Sequence, residues 1–366
     1  MFTIFHYPYL IIQAYFYFLF NFEIIALIKF TFLWPFILLF SLINNCFLFL
    51  DHLFFRFNKI SINQPFFVTG FPRSGTTFLH KTISHDQQFT TPVLWEMLFA
   101  PSIIQKIIFW NIYKIFSFLF KYRKINFFNS AISSLKDIHN INLNGPEEDY
   151  LLLIPYGGCF LLILMLPVKH IWNLDNFDNS FSLNHRDRLM KKYKQLIQRH
   201  LYYHGENKIY LSKNPSFTSF SESLKRHFPD CKLLNCYRDP SISIPSLLST
   251  MQEGYLIMSR SVYNNNHINK YIEMYKIYST TIKNHSSSDQ NYHIVHMDSI
   301  KDDLFNTVSN IYQKFNYLLS QDYKNILEVE TEKSKNYKSK HQYDLKDFNL
   351  NQKTIDEIFK DIKPNI

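Results

Sequence analysis

Residues 66–77 read Phe-Phe-Val-Thr-Gly-Phe-Pro-Arg-Ser-Gly-Thr-Thr, and this stretch decides the fold. A short apolar strand leads into a loop bounded by Gly70 and Gly75, and hydroxyl residues then open a helical pattern. A strand–loop–helix unit of this kind lets backbone N–H groups surround a phosphate at a helix N-terminus. The pattern therefore predicts a phosphate-binding loop between a buried strand and a helix.

The spacing matches the nucleotide-binding pattern G-x-x-x-x-G-K-[ST], with one departure. Thr76 occupies the lysine position, and Arg73 is the only cation inside the loop. Without the lysine, the loop lacks the point charge that contacts the β- and γ-phosphates of a nucleoside triphosphate. It remains suited to a 5′-phosphate of smaller charge. The alternative is an ordinary strand-to-helix turn, but the chain has only 7 glycines, so two at these positions favour the phosphate loop.

A second ligand-binding position is predicted further along the chain. Lys208–Leu211 and Lys232–Tyr237 have the composition of short strands, and Phe217–Phe228 between them has apolar residues at helical spacing. This β-α-β order predicts an α/β fold with a central parallel sheet flanked by helices. Arg238 directly follows one of these strands, and open α/β sheets bind ligands at the carboxyl ends of their strands.

Arg238 and Ser246 together suit a phosphate, the arginine through a bidentate contact and the serine through its hydroxyl. Pro240 is compatible with the first turn of the helix that carries Ser246. Two alternatives stay open. Arg238 could form a surface ion pair with Asp239, and Lys213, directly after a strand, could be a solvated loop charge.

Together these motifs resemble the sulfotransferases that use 3′-phosphoadenylyl sulfate (PAPS) as donor, in the bacterial-type family related to tyrosylprotein sulfotransferases. The resemblance covers about residues 65–362 and includes four further pieces: Trp95-Glu96, Pro146-Glu-Glu-Asp149, Val295-His-Met-Asp298 and Lys340–Phe348. It implies the fold of P-loop-containing nucleoside triphosphate hydrolases. It also implies that Pro72–Thr77 hold the 5′-phosphosulfate of PAPS and that Arg238 and Ser246 hold its 3′-phosphate.

Sulfuryl transfer needs hydrogen-bond donors around the 5′-phosphate, a cation at the bridging oxygen and a base for the acceptor proton. The donors are assigned to the loop residues Arg73, Ser74, Gly75, Thr76 and Thr77. Lys213 is assigned the bridging oxygen, because a lysine at the end of a neighbouring parallel strand points to the same crevice. Arg73 is expected to share this task.

Glu96 is the first candidate for the base, because its position resembles that of the catalytic glutamate of the tyrosylprotein enzymes. The alternatives for Glu96 are a helix N-terminal charge or a structural salt bridge. His80 and His139 are the other candidate bases, since many cytosolic sulfotransferases use histidine. Glu147 and Glu148 are interpreted as helix-capping charges rather than site residues.

No metal is expected, because the histidines look scattered and no Cys/His spacing suits zinc. The four cysteines do not form a disulfide framework, which favours reduced thiols in the cytosol. The net charge of +9 fits a polyanionic donor and also an anionic membrane surface, whereas no nucleic-acid-binding motif is present. The sequence gives no indication of an oligomeric state.

Residues 1–60 form a hydrophobic segment that differs from the sulfotransferase domain at 61–366. Tyr9–Phe20 and Ile24–Leu50 are both largely apolar, and the second is long enough to span a bilayer. The segment is interpreted as a helical hairpin or an interfacial anchor, and either arrangement attaches the protein to a membrane. Arg56 and Lys59 directly follow the segment, which places the domain on the cytoplasmic side. The alternative is a soluble cytoplasmic protein whose N-terminal helices pack on the domain. A cleavable signal peptide is not expected.

The predicted activity is transfer of a sulfuryl group from PAPS to a hydroxyl, rather than an amine, of a small-molecule, lipid or carbohydrate acceptor. A nucleotide kinase would share the fold but needs the loop lysine. A non-catalytic membrane protein that retains the fold is the other alternative. Two later apolar stretches, Ile103–Phe120 and Leu151–Leu166, are expected to belong to the fold, and the family resemblance implies a core helix for the second. The alternative is that either stretch lines an apolar acceptor pocket.

Overall fold

The computed structural model describes residues 3–119, 142–260, 265–285, 289–335 and 343–364, and in these ranges five parallel strands form one sheet. The strand order is β2-β3-β1-β4-β5, and every neighbouring pair is parallel. The strands are β1 (Phe66–Gly70), β2 (Phe89–Thr90), β3 (Ile209–Lys213), β4 (Lys232–Tyr237) and β5 (Tyr292–His296). The predicted α/β fold with a central parallel sheet is confirmed.

β1 lies in the middle of the sheet, and both it and β4 are buried along their whole length. Their apolar runs are those of strands covered on both faces. Gly70 pairs with Cys236 across β1 and β4, while Val68 pairs with Lys213 across β1 and β3. The loop after β1, the end of β3 and the residues after β4 therefore meet at one edge of the sheet.

Helices cover both sides of this sheet. Those within the domain are α3 (Thr76–Ile83), α4 (Leu94–Phe99), α5 (Ile103–Leu119), α6 (Lys169–Trp172), α7 (Phe177–Ser180), α8 (Leu183–His204), α9 (Ser221–His227), α10 (Pro240–Ile257), α11 (Asn265–His285), α12 (Met297–Asp302), α13 (Leu304–Phe315), α14 (Gln321–Lys335) and α15 (Gln352–Phe359). As predicted, Pro240 occupies the first turn of α10 and Ser246 lies on that helix.

The expected core helix over Leu151–Leu166 is wrong. Two 3₁₀ segments, Asp149–Tyr156 and Phe160–Leu164, take its place. Gly157 ends the first of them with φ of 67°, a left-handed conformation that interrupts a helix, and Pro155 removes an N–H donor from the turn before it. The apolar composition reflects burial in the core rather than a continuous helix.

Residues near the N-terminus form a helical hairpin of α1 (Thr3–Phe20) and α2 (Ile24–Phe54). One stripe of α2 is buried at helical spacing in two sections, Ala26, Phe30 and Trp34 in the first part of the helix and Asn44, Leu48 and Asp51 in the last. The apolar members of this stripe belong to the same hydrophobic cluster as the core of the domain. The hairpin therefore packs on the domain, and the remaining surface of α2 is exposed and largely apolar.

Buried ion pairs hold both ends of α2 on the domain. At its start, the Glu23 carboxylate lies 3.3 Å from Nε of Arg260. Near its end, the Asp51 carboxylate lies 2.9 Å from Nε of Arg199 and also accepts a hydrogen bond from the backbone N–H of Ile103 at 3.0 Å. Because both ends contact the same domain, α2 lies along its surface.

Candidate active site

The loop between β1 and α3 has the left-handed backbone conformation that its glycines predict. Gly70 and Gly75 have φ of 114° and 86°, and Arg73 between them is also left-handed, with φ of 64°. The Ser74 hydroxyl lies 2.6 Å from the Phe71 carbonyl and 3.0 Å from the Cys236 carbonyl, so it braces the loop against β4. Because this hydroxyl is engaged inside the loop, Ser74 has its backbone N–H left to offer an anion.

Close contact with the neighbouring strand leaves no room for a side chain at position 70. A Cβ atom at this position would lie 2.1 Å from the backbone carbonyl oxygen of Cys236. The Gly70 N–H donates to Thr218 Oγ1 at 2.8 Å, which ties the end of β1 to the segment after β3. The loop therefore begins at a position that only glycine can occupy.

Arg73, Arg238 and Ser246 come together at the carboxyl edge of the sheet. Arg73 Nε donates to Ser246 Oγ at 3.0 Å, and Arg238 Nη1 donates to the Arg73 carbonyl at 3.2 Å. Burial lowers the pKa of Arg238, and the nearby Arg73 charge also lowers it, while electrostatic interactions with Tyr275 and Asp298 oppose the shift. Two neighbouring guanidinium groups that repel each other favour an anion beside them.

The alternative of an ion pair between Arg238 and Asp239 does not match the contacts. The Asp239 carboxylate accepts from the backbone N–H of Ser241 at 2.9 Å and so caps α10. Its other oxygen lies 3.0 Å from Nζ of Lys363. These partners lower the pKa of Asp239 despite its partial burial.

Lys213 is the last residue of β3, not a solvated loop residue, and its side chain is only 1% exposed. Its Nζ donates to Thr77 Oγ1 at 3.1 Å and to the Glu148 carboxylate at 2.8 Å. The buried ammonium group therefore lies beside the first turn of α3, next to the phosphate loop. Glu148, interpreted from the sequence as a capping charge, is the partner of this ammonium group.

Asp149 explains how Glu148 is held in place. Its buried carboxylate accepts hydrogen bonds from Tyr193, from Tyr210 at 2.9 Å and from Ser212 at 2.9 Å. Burial raises the pKa of Asp149 to about 6, although these hydrogen bonds oppose the rise. The network fixes the Glu148–Asp149 segment to β3, the strand that carries Lys213.

Glu96 lies in a separate buried cluster with two histidines of α8. Its carboxylate is 2.9 Å from His204 Nε2 and 3.7 Å from His200 Nδ1. The other nitrogen of His200 is bonded to Thr90 Oγ1 at 2.8 Å, and burial holds the pKa of His200 well below its usual range. Among the described residues, no hydrogen bond or ion pair joins Glu96 to Lys213 or to the phosphate loop.

The Glu96 cluster can also hold a metal ion, because one ligand atom from each of Glu96, His200 and His204 lies within 4.8 Å of the others. The histidines are therefore less scattered than the sequence suggested. Their spacing of four residues on a helix was the signal that could have found this group.

The two candidate histidine bases are placed differently. His80 is fully buried in α3, with Nε2 bonded to Thr91 Oγ1 at 2.9 Å. Burial and the Lys213 charge hold its pKa well below the usual range, so the ring is neutral. His139 lies outside the described residues.

A parallel sheet with a glycine-bounded loop at its carboxyl edge, and cations beside that loop, is typical of an α/β protein with a P-loop-like fold. Comparison with protein families narrows this class. The model of the sulfotransferase family matches residues 65–320, and the chain belongs to that family. It is a sulfotransferase, an enzyme that transfers a sulfuryl group.

Two solved structures are similar to this chain in fold. Sulfotransferase STF1 from Mycobacterium tuberculosis H37Rv has a TM-score of 0.64 at 17% identity, over 84% of this chain and 80% of its own. Sulfotransferase STF9 from Mycobacterium avium has a TM-score of 0.60 at 16% identity, over 83% of this chain and 77% of its own. A search of the curated proteins finds no match.

Proposed function

We propose that the donor is PAPS and that the enzyme transfers its sulfuryl group in line to an acceptor hydroxyl. The contact group of Arg73, Arg238 and Ser246 is the observation that carries this proposal. It supplies cations for a second phosphate beside a loop that lacks the lysine of triphosphate-binding proteins. A nucleotide with phosphates at both its 5′ and 3′ positions matches this arrangement.

In the proposed reaction, the acceptor oxygen forms a bond to sulfur while the bond from sulfur to the 5′-phosphate oxygen breaks. The phosphate gains negative charge as this bond breaks. Lys213 is suited to stabilise that charge, because its Nζ lies 3.1 Å from Thr77 Oγ1 at the start of α3. The loop N–H groups and Arg73 are proposed to bind the remaining 5′-phosphate oxygens.

The acceptor proton must pass to a base, and two carboxylates are candidates. Glu96 remains the base that the family resemblance predicts, with His204 as its hydrogen-bonded neighbour at 2.9 Å. Glu148 is the rival, because its carboxylate lies 2.8 Å from the proposed catalytic lysine and its side chain is partly exposed. A carboxylate beside Lys213 is favourably placed for an acceptor that approaches the sulfur.

Replacing each carboxylate by its amide separates the two candidates. Loss of the base lowers kcat by about 10²- to 10⁴-fold and leaves the affinity for adenosine 3′,5′-bisphosphate, the product formed from the donor, unchanged. We expect this loss in Glu96→Gln, and a smaller effect in Glu148→Gln through the altered position of Lys213. The measurement is the steady-state kcat for transfer of the labelled sulfuryl group from PAPS, with Glu147→Gln as the control. The reverse order of the two effects would assign the base to Glu148 and remove Glu96 from the mechanism.

Arg238→Ala is expected to weaken the binding of adenosine 3′,5′-bisphosphate about 10- to 100-fold, because a charge-assisted contact to phosphate is lost. Isothermal titration calorimetry measures this change. Binding of adenosine 5′-phosphate, which has no 3′-phosphate, should be much less affected. Arg226→Ala, an exposed arginine on α9, is the control. Equal losses for both nucleotides in Arg238→Ala would argue against a 3′-phosphate contact.

A thermal-shift titration tests the donor class directly. Adenosine 3′,5′-bisphosphate should raise Tm with increasing concentration, because a ligand that binds only the folded state stabilises it by mass action. ATP with magnesium should have a much smaller effect. Stabilisation by ATP alone would support a nucleotide kinase site, and no response to either nucleotide would support a non-catalytic protein.

We infer that the N-terminal hairpin attaches the enzyme to a membrane surface without crossing it. α2 is long and apolar enough to span a bilayer by length and composition alone. The ion pairs of Glu23 and Asp51 with the domain argue for a different placement, because they hold both ends of the helix on one body. Its exposed apolar face suits the headgroup boundary of one leaflet.

Cysteine labelling distinguishes the two placements. In a Cys46→Ser background, single cysteines at Phe22 and at His52 mark the two ends of α2. In intact cells, an impermeant thiol reagent should label the cysteines at both positions to the same extent. After the cells are permeabilised, the extent of labelling should change in the same way at both positions. Labelling of only one position in intact cells would show that α2 crosses the membrane.

A further inference from the structure

An apolar cavity of about 290 Å³ lies between α2 and the domain. Its lining comes from α2, from α4 and from the two 3₁₀ segments that replace the expected core helix, and none of the lining residues is charged. The Asn44 side chain is the main polar group, and it is already hydrogen-bonded to the Leu98 carbonyl at 3.1 Å and to Gln105 at 2.8 Å. The cavity therefore offers little to water or to a sugar and suits a hydrocarbon chain.

Two walls of the cavity come from segments that also carry the candidate bases. Met97 lines it and directly follows Glu96 on α4. Leu151 lines it from the 3₁₀ segment that Glu148 precedes, and Glu148 binds Lys213. Both candidate bases are thus carried by elements that form the cavity wall.

The outer rim of the cavity joins the exposed apolar surface. Phe40, Phe99 and Leu161 line it and are 46%, 40% and 43% exposed. Phe40 is part of the exposed face of α2. The first turn of α5 contacts α2 through Asp51. α5 exposes a further set of large apolar side chains: Ile107, Ile108, Phe109, Trp110, Ile112, Tyr113 and Ile115. Apolar surface of this extent marks a membrane or partner contact in soluble proteins.

From these observations we propose that the acceptor is an amphipathic lipid with a hydroxyl head, whose hydrocarbon chain enters the cavity beneath α2. The proposal rests on the proposed function, because it assigns the acceptor class of the same site. The membrane face of α2 and α5 supplies the lipid at the rim. The chain then lies along α4 and the Asp149–Tyr156 segment, with the hydroxyl at the end that carries the candidate bases.

A series of straight-chain primary alcohols from butanol to dodecanol tests the proposal, with labelled PAPS as donor. The kcat/KM should rise about three- to fourfold per methylene until the cavity is full. Ile37→Trp, which fills the cavity from α2, should flatten this rise, with the largest loss of kcat/KM for the long alcohols. Leu38→Trp, on the exposed face of the same helix, is the matched control and should keep the wild-type slope.

Calorimetric binding of decanol without donor gives a second readout, and Ile37→Trp should lose this binding while Leu38→Trp keeps it. An unchanged slope and unchanged decanol binding in Ile37→Trp would overturn the proposal. So would transfer to a polar hydroxyl compound such as glucose with no rise along the alcohol series, and that outcome leaves the proposed function standing. A protein that binds no adenosine 3′,5′-bisphosphate would instead overturn the proposed function, and the acceptor assignment with it.

Discussion

Lys213→Met lowers the rate of sulfuryl transfer by about 10²- to 10³-fold, because the leaving phosphate loses its buried cation. Methionine keeps most of the volume of the lysine stem, so the packing around β3 is expected to change little. The charge that develops in the transition state is larger than the one in the bound donor. The loss should therefore appear in the rate constant of the transfer step, measured in single-turnover experiments, with the affinity for adenosine 3′,5′-bisphosphate changed much less.

Lys208→Met is the matched control, because Lys208 is an exposed lysine directly before the first residue of the same strand. It should retain the wild-type rate. Lys213→Arg should recover only part of the activity, since the planar guanidinium does not reproduce the position of the ammonium group beside Thr77. A Lys213→Met enzyme with normal kcat would remove this residue from the mechanism.

Gly70→Ala abolishes the fold, with a loss of more than about 4 kcal/mol in the free energy of unfolding. The new Cβ would lie 2.1 Å from the Cys236 carbonyl oxygen, and neither central strand can move away without breaking its ladder. The backbone of Gly70 is also left-handed, at φ of 114°, which adds strain for alanine. Urea denaturation followed by circular dichroism measures the effect, or the variant is recovered only as insoluble protein.

Gly75→Ala provides the comparison within the same loop. Gly75 is also left-handed, but a Cβ there meets only flexible side chains at ordinary contact distance, with Ile300 Cδ1 at 3.5 Å. The expected cost is therefore about 1–2 kcal/mol of backbone strain, and the protein should still fold. Equal stability losses in the two variants would contradict the view that close strand packing, rather than conformation alone, selects glycine at position 70.

Local patterns predicted the parts of the site that depend on neighbouring residues. The phosphate loop, the strand before Arg238 and the first turn at Pro240 are each specified within a few positions of the chain. A left-handed glycine or a proline at a helix start has its cause in its own backbone. For this reason, the central strands and the meeting of Arg238 with the loop could be expected from the sequence.

Contacts between distant segments could not be predicted in the same way. Glu148 meets Lys213 because Asp149 is anchored to β3 by side chains about sixty residues away in sequence. Glu96 contacts His200 and His204 across the fold. The two histidines share one helix face at a spacing of four residues, but no local pattern links them to Glu96. The sequence around Leu151 has the hydrophobicity of a core helix, yet the left-handed conformation of Gly157 interrupts the helix there.

A crystal structure with adenosine 3′,5′-bisphosphate would show where the two phosphates of the nucleotide bind. We expect the 5′-phosphate within hydrogen-bond distance of the loop amides at residues 73–77, and the 3′-phosphate on Arg238 and Ser246. Nucleotide bound elsewhere, with neither phosphate at these groups, would contradict this expectation.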